Sequence, residues 1–550
     1  MAEQNQRRIV NSAVWAAWAD ALGFMSELTD ITGLRKRVHA DRVSEPIEWN
    51  RVVGGRYGAY VKLPAGCYSD DTQLRLSTSR AIRGNGYFDV ESFAKIELPV
   101  WMCYSLGAGV GTKAAAMNLT GSSVSWFSNF FVSRERSYVD SGGNGAAMRV
   151  QPHVWAARQR RDSRSYLIDV VRNSVCTHGS LRALLGAAVH AIVLARTIES
   201  GKVQMADDLH DALREARLVV DVVIADRELS SFWLPVWEQK SGKSFSTEVS
   251  RVLEECDRDV ASLTQHPIVD GETYRSAVEA IGGLDPTSRG SGTKTSLIAS
   301  ALCWGYHTRP PSEAIAVAAN LLGSDTDTIG TLAGAILGAV TDIGPVGALL
   351  DQEYIESEAM RLHGISLGSE GKSFAYPDLM RWSPPKNQTS AVGLSEDQIV
   401  VAGLGPALPI GESFRGQSQE RAVWRWLRLE FGQTIIAKMR TDLQQLPHQI
   451  ATAMVPTESK ATAMTSKEQQ NSLFSPEAEP RGDSRNSSNR QTLDEMTSAA
   501  IKSGFDPATI GQHIIDLSSQ AEGIERCLGY VAIISKARKA RLTRRTPVSP

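Results

Sequence analysis

The sequence predicts an all-α protein, and three observations carry that expectation. Apolar residues recur at helical spacing in Thr72–Arg83, Leu181–Ile198, Met205–Asp226 and Thr295–Trp304. Glycine-rich loops, notably Ser141–Gly145 and Gly282–Gly292, separate such segments. No sustained period-2 run marks a sheet core.

The elements follow in chain order. Residues 8–380 read as one mostly helical unit. Its most membrane-like stretch runs from Ile329 to Leu350. Asp342 and Pro345 interrupt that stretch, and Gly330, Gly334 and Gly338 recur every four residues. A small-residue helix packed closely in a core explains this better than a membrane span. From Tyr376 to Gly416 the composition shifts to Pro, Gly and Ser, as at a domain exit. The 381–450 extension holds an expected short helix, Glu420–Leu446, with Trp424, Trp426, Leu427, Leu429 and Phe431. Residues 451–490 lose their apolar content and predict a disordered linker. Residues 491–550 are helical by pattern from Leu493 to Ala540 and end in a basic cluster. That cluster comprises Lys536, Arg538, Lys539, Arg541, Arg544 and Arg545.

Composition bounds the function classes. The 550 residues carry 59 basic and 61 acidic side chains, a formal net charge of −2. That balance gives the whole chain no electrostatic reason to hold nucleic acid or a membrane. Six cysteines are scattered without a C-x-x-C pair, so zinc and redox motifs lack support and a reducing compartment is expected. The N-terminal segment is a poor signal peptide, because Asp20 closes its apolar run. A cytoplasmic protein without a membrane partner is the resulting expectation.

Three acidic features, far apart in sequence, share one style. They are Ala19-Asp20-Ala21-Leu22-Gly23 followed by Glu27; Ser69-Asp70-Asp71-Thr72-Gln73; and Gly323-Ser324-Asp325-Thr326-Asp327-Thr328. The last two open helices by pattern. Singly, each reads as a cap, since a carboxylate at a helix start is favoured by the dipole and accepts free N–H groups. Together they supply hard oxygen ligands of the kind magnesium prefers. Clustered carboxylates without a cation repel one another. Two ions roughly 3.5–4 Å apart between two helix termini account for the pattern better than capping does.

These motifs, with Gly143-Asn144-Gly145-Ala146-Ala147-Met148-Arg149 and Thr177-His178, resemble in order those of the ADP-ribosylglycohydrolase family. The resemblance spans about residues 8–365 and implies a helical domain with a central dimetal cleft. It implies Ser69, Asp70, Asp71, Asp325, Asp327 and Thr328 as ligands of two magnesium ions, with manganese as a substitute. It implies Asp20, Asn144, Gly145, Met148, Arg149 and His178 as substrate-binding residues, and Glu27, Asp70 and Asp325 as catalytic. Ala19 stands where the family has glycine, and Ser69 where threonine is commoner; neither change removes a ligand. Taken residue by residue, His178 also reads as a structural histidine, Asn144 as a turn former, and Arg149 as a phosphate clamp or a partner for a surface acid.

The expected reaction is hydrolysis at C1 of the ribose in ADP-ribose joined to an acceptor, most readily a protein side chain. Two other readings use the same motifs: a module that binds ADP-ribose without cleaving it, and a hydrolase acting on ADP-ribosylated nucleic acid or a small nucleotide. The basic tail reads in two ways, as a surface for an acidic or nucleic-acid partner or as a solvated helix end where cations are favoured near the C-terminus. Residues beyond about 391 are expected to be dispensable for the chemistry.

Overall fold

The computed structural model describes residues 2–55, 57–416, 421–447 and 492–519, with 526–527, 529–531, 533–535 and 537–538. The chain forms two compact units, 1–458 and 459–550.

The first unit is built on helices, as expected. Its central pair is Ala2–Ser26 and Thr326–Gly338. Glycines let their backbones touch. A Cβ added at Gly334 or Gly338 would stand 2.5 Å from the carbonyl oxygens of Trp15 or Asn11 respectively. One added at Gly23 would stand 2.4 Å from that of Thr326. The Thr326 hydroxyl donates to the Gly23 carbonyl at 2.9 Å and pins the same crossing. The Ile329–Leu350 stretch is thus a core helix that ends at Gly338, followed by a loop with exposed Ile343 and Val346. Among the described residues one helix is long and apolar enough to cross a membrane, Leu181–Ser200. Nearly all of its residues are buried inside the protein, and it packs against Gly292–Gly305.

Sheet structure departs from the sequence reading. Strands β1 (Trp49–Val53) and β2 (Ala59–Leu63) form an antiparallel hairpin. In the extension, β3 (Val392–Ser395), β4 (Gln398–Val401), β5 (Gly405–Arg415), β6 (Ala422–Leu429) and β7 (Thr434–Arg440) form an antiparallel meander in chain order. The expected helix Glu420–Leu446 is therefore two strands. The physical reason is burial on both faces. Val423, Leu427 and Leu429 of β6 join the main core, while Trp424 and Trp426, on the opposite face, join a second apolar cluster with the hairpin. With both faces apolar, no polar alternation shows in the sequence.

The expected boundary near 380 is not a structural one either. The meander is hydrogen-bonded to the helical core. Thr434 N–H donates to Asp351 Oδ2 at 2.7 Å, Arg80 Nη1 to Gln433 Oε1 at 2.7 Å, and Lys438 N–H to the Cys103 carbonyl at 2.9 Å.

In the second unit the expected tail helix is broken. Helices Leu493–Lys502 and Pro507–Ser518 are capped by Thr492 and Asp506. Gly504 and Phe505, both at positive φ, separate them. Met496, Ala500, Leu517, Tyr530 and Ile534 form a small core. The 451–490 linker and the basic residues Lys536, Lys539, Arg541, Arg544 and Arg545 lie outside the described residues.

Candidate active site

The site begins at the helix Asp70–Ala81. Ser69 caps it, its hydroxyl accepting from Asp71 N–H at 3.2 Å. A second cap comes from another helix. Asp20 Oδ1 accepts from Ser69 N–H at 3.0 Å, and Asp20 Oδ2 from Thr72 N–H at 2.9 Å and the Thr72 hydroxyl at 2.6 Å. Both carboxylate oxygens are therefore engaged in holding the turn on which Asp70 and Asp71 stand. Gln73 fixes the opposite wall. Its side chain accepts from Trp101 Nε1 and Leu106 N–H and donates to the Tyr104 carbonyl. The loop it holds leads into Gly107 and Ala108, both at positive φ. Ala108 N–H then donates to Asp70 Oδ1 at 2.7 Å. A Cβ at Gly107 would stand 2.4 Å from that oxygen, so the loop requires glycine there.

The third acidic motif arrives at the start of Thr326–Gly338. Thr328 Oγ1 donates to Asp71 Oδ1 at 3.3 Å across the two helix starts. Asn144 Nδ2 donates to Asp325 Oδ2 at 3.0 Å, and Asn144 N–H to the Gly290 carbonyl at 2.8 Å. A cleft of about 780 Å³ opens over these groups. Glu27, Asp70, Asp71, Asn144, Gly145, Met148, His178, Asp325, Asp327 and Thr328 all line it, ten of the thirteen residues expected from sequence.

Asp20, Ser69 and Arg149 do not line the cleft. Asp20 and Ser69 are buried behind it, where their cap bonds hold the turn that carries Asp70 and Asp71. Arg149 lies behind the cleft wall and pairs with no surface acid among the described residues. It is fully buried and donates to Asn173 Oδ1, the Asn173 carbonyl and Thr177 Oγ1. Its place is structural support for His178. The Thr177 hydroxyl accepts from Arg149 and lies 2.7 Å from His178 Nδ1. Burial pulls His178 down to about 3, so its ring is neutral at pH 7. Asn144 likewise spends its side-chain nitrogen on Asp325 and Thr295, which makes it a support for the acid as well as part of the wall.

The electrostatics are those of crowded acids. Burial, with the neighbouring Glu27 carboxylate, pushes Asp70 up to about 7. Burial and the charges of Asp20, Asp70 and Asp325 raise Asp71 well above the carboxylate range. Asp327 is raised in the same way, by burial and then by Glu27 and Asp71. Burial also raises Glu27, against the opposing charge of Arg51. Asp71 Oδ2 is buried and makes no hydrogen bond of normal length; the nearby Thr331 hydroxyl, which lowers the Asp71 pKa slightly, is itself unpaired at bonding distance. A bare carboxylate oxygen among four other acids fits a cation. Among the described residues no three His, Cys, Asp or Glu side chains already converge as a finished cage. Magnesium demands less, since it keeps several waters and takes one or two carboxylates.

Sequence reasoning missed Arg51 altogether. Its Nη1 and Nη2 each stand 3.4 Å from Glu27 Oε2. It also missed the Gly107–Ala108 loop and the Thr112 wall of the cleft. Nothing local marks these residues, because tertiary packing alone brings them to the acids.

The helical fold and its acidic cleft place the protein in the general class of ADP-ribosyl hydrolases. More particularly, the chain belongs to the ADP-ribosylglycohydrolase family, whose pattern matches residues 1–363. One solved structure, described as an ADP-ribosylglycohydrolase-related protein complex, is similar over 66% of this chain and 99% of its own, with 20% identity and a TM-score of 0.43. No curated protein matches the chain.

Proposed function

We propose that the protein is a magnesium-dependent hydrolase that releases ADP-ribose from a modified acceptor, a protein side chain first among them, by cleaving the glycosidic bond at C1 of the ribose. One observation carries the reading: three acidic motifs from distant parts of the chain converge in one cleft and leave the Asp71 Oδ2 atom buried and bare. Asp70, Asp71, Asp325, Asp327 and Thr328 would hold two magnesium ions, or manganese in their place. When bound, the ions would orient the ribose hydroxyls and lower the pKa of a water. The acids of the cleft would also favour the positive charge that develops on the sugar as the bond to C1 breaks. Glu27, which lines the cleft and is not engaged as a cap, would handle the proton. His178, neutral and backed by Thr177, would offer a hydrogen bond from the opposite wall. Arg136 and Arg289 also line the cleft and suit a substrate that carries phosphates, whereas Arg182 and Lys294 there are already paired with Glu255 and Asp259.

The test is a panel of arginine-, serine- and base-linked ADP-ribose conjugates, scored for released ADP-ribose with magnesium and with EDTA. Release that requires magnesium is expected for at least one side-chain conjugate. Full activity in EDTA would remove the metal-dependent reading. Tight binding of ADP-ribose with no release from any conjugate would make the cleft a recognition module. Release from the base-linked conjugate alone would move the substrate to nucleic acid.

A further inference from the structure

The hairpin β1–β2 brings a cation to Glu27. Period-2 geometry puts Arg51 on the same face of β1 as Trp49 and Val53. Its guanidinium lies 4.3 Å from the ring centroid of Phe24 and 5.9 Å from that of Trp49, so aromatic faces hold it from behind. From there both terminal nitrogens reach Glu27 Oε2 at 3.4 Å. The Glu27 backbone is fixed separately. Arg37 Nη1 donates to the Glu27 carbonyl at 2.7 Å and to the Met25 carbonyl at 3.1 Å. With its backbone pinned, the Glu27 side chain meets Arg51 at its carboxylate, and the charge of Arg37 acts on it as well.

What holds Arg51 is in turn the C-terminal sheet. Gly54, at the end of β1, has φ +93°, and a Cβ there would stand 2.3 Å from Trp424 Cζ2. The indole of β6 therefore lies directly on the hairpin backbone. Trp426 Nε1 donates to the Lys62 carbonyl of β2 at 3.3 Å, and Ala59 bridges to Gly416 beyond β5. Phe24, Trp49, Val53, Ala59, Val61, Leu63, Trp424, Trp426 and Ile436 form one continuous apolar cluster. The packing runs without a break from the extension to the ring under Arg51.

We infer that Arg51 is a positioning residue that aims the Glu27 carboxylate into the cleft, and that the Trp424 strand of the C-terminal sheet braces the hairpin that carries it. This rests on the proposed role of Glu27 as the proton-handling group. The extension thereby takes part in the chemistry without touching substrate.

The experiment uses the full chain with magnesium and whichever conjugate the panel identifies, in the variants E27Q, R51Q, R51K, W424F and the double variant R51Q/W424F. R51Q is expected to lower kcat about tenfold or more, a part of what a positioned proton-transfer group supplies. KM should change less than about threefold, and the melting temperature should stay near wild type. R51K should recover part of the loss, since it restores charge without the fork. W424F should lower kcat in the same direction and speed amide hydrogen exchange in residues 49–63. The double variant should be no slower than R51Q alone, because both act through one contact. Wild-type kcat in R51Q with a dead E27Q would overturn the inference and leave the proposed function standing. Wild-type turnover in E27Q would overturn the role of Glu27 itself. Multiplicative losses in the double variant, or hydrogen exchange unchanged in W424F, would overturn the bracing.

Discussion

Asp20 and Asp71 are both buried carboxylates, yet they are expected to respond oppositely to truncation. Burial raises Asp20 too, but it accepts three hydrogen bonds from Ser69 and Thr72 and faces the charge of Arg75, all of which oppose that shift, so Asp20→Ala strands buried donors at a helix start. Loss of such partners costs about 1–3 kcal/mol each, shared here among relaxed neighbours, and a total loss of about 2–4 kcal/mol is expected. Asp71 leaves one oxygen bare and repels Asp20, Asp70 and Asp325. A carboxyl whose folded pKa is raised above its unfolded value weakens the fold once pH exceeds the unfolded value. At pH 7 in EDTA, Asp71→Ala should therefore be at least as stable as wild type. With magnesium, the same variant should lose turnover, as should Asp325→Ala. Urea unfolding in EDTA, set beside turnover in magnesium, reads both effects. A metal-free Asp71→Ala protein clearly weaker than wild type would show that the carboxylate is a structural cap after all.

Among the elements, the crossing of Ala2–Ser26 with Thr326–Gly338 decides whether the acids meet. Gly330 and Gly334 face the same partner at different distances. An added Cβ would stand 3.2 Å from the Ala19 carbonyl oxygen at Gly330, and 2.5 Å from that of Trp15 at Gly334. Helix propensity favours alanine over glycine by about 1 kcal/mol at either position. At Gly330 a shift of a few tenths of an ångström offsets that gain, and Gly330→Ala should change stability by less than about 1 kcal/mol. At Gly334 the clash is with backbone, so Gly334→Ala should destabilise by about 1–3 kcal/mol and lower turnover by moving Asp327 and Thr328. Equal melting temperatures for the two variants would refute the graded fit. That Thr326–Gly338 packs closely in the core was legible in the sequence, because the every-fourth glycine repeat and the acidic helix start are local patterns, but its partner Ala2–Ser26 was not. Nor were the hairpin and the meander. β2 alternates over only five residues, and β6 carries its apolar side chains on both faces. For the same reason the motifs marked the acids but could not mark Arg51, which reaches Glu27 from an unpatterned strand. Nor could they show that Arg149 and Asp20 support the cleft from behind, since burial is settled by the whole fold.

For the whole molecule, the two-unit division relocates the point at which the chain can be cut. The expectation that everything beyond about 391 is dispensable treats the extension as an appendage. The meander of residues 392–440 instead covers the core. Removing it would leave the buried Arg80–Glu97 pair without Gln433, free Asp351 from Thr434, and strip Trp424 and Trp426 from the hairpin. Uncovering buried aromatic surface costs about 25 cal/mol per Å², and each large ring buries about 150–250 Å². The two tryptophans alone are then worth several kcal/mol, a large fraction of an ordinary domain's stability. A chain ending at residue 390 should be insoluble or markedly less stable. A chain ending at Glu458, the limit of the first unit, should keep the melting temperature of that unit and full magnesium-dependent turnover on a small conjugate. Thermal unfolding and turnover of the two truncations decide the matter. A soluble and active 1–390 protein would show that the sheet is an appendage, whereas an inactive but folded 1–458 protein would bring the second unit into the active site.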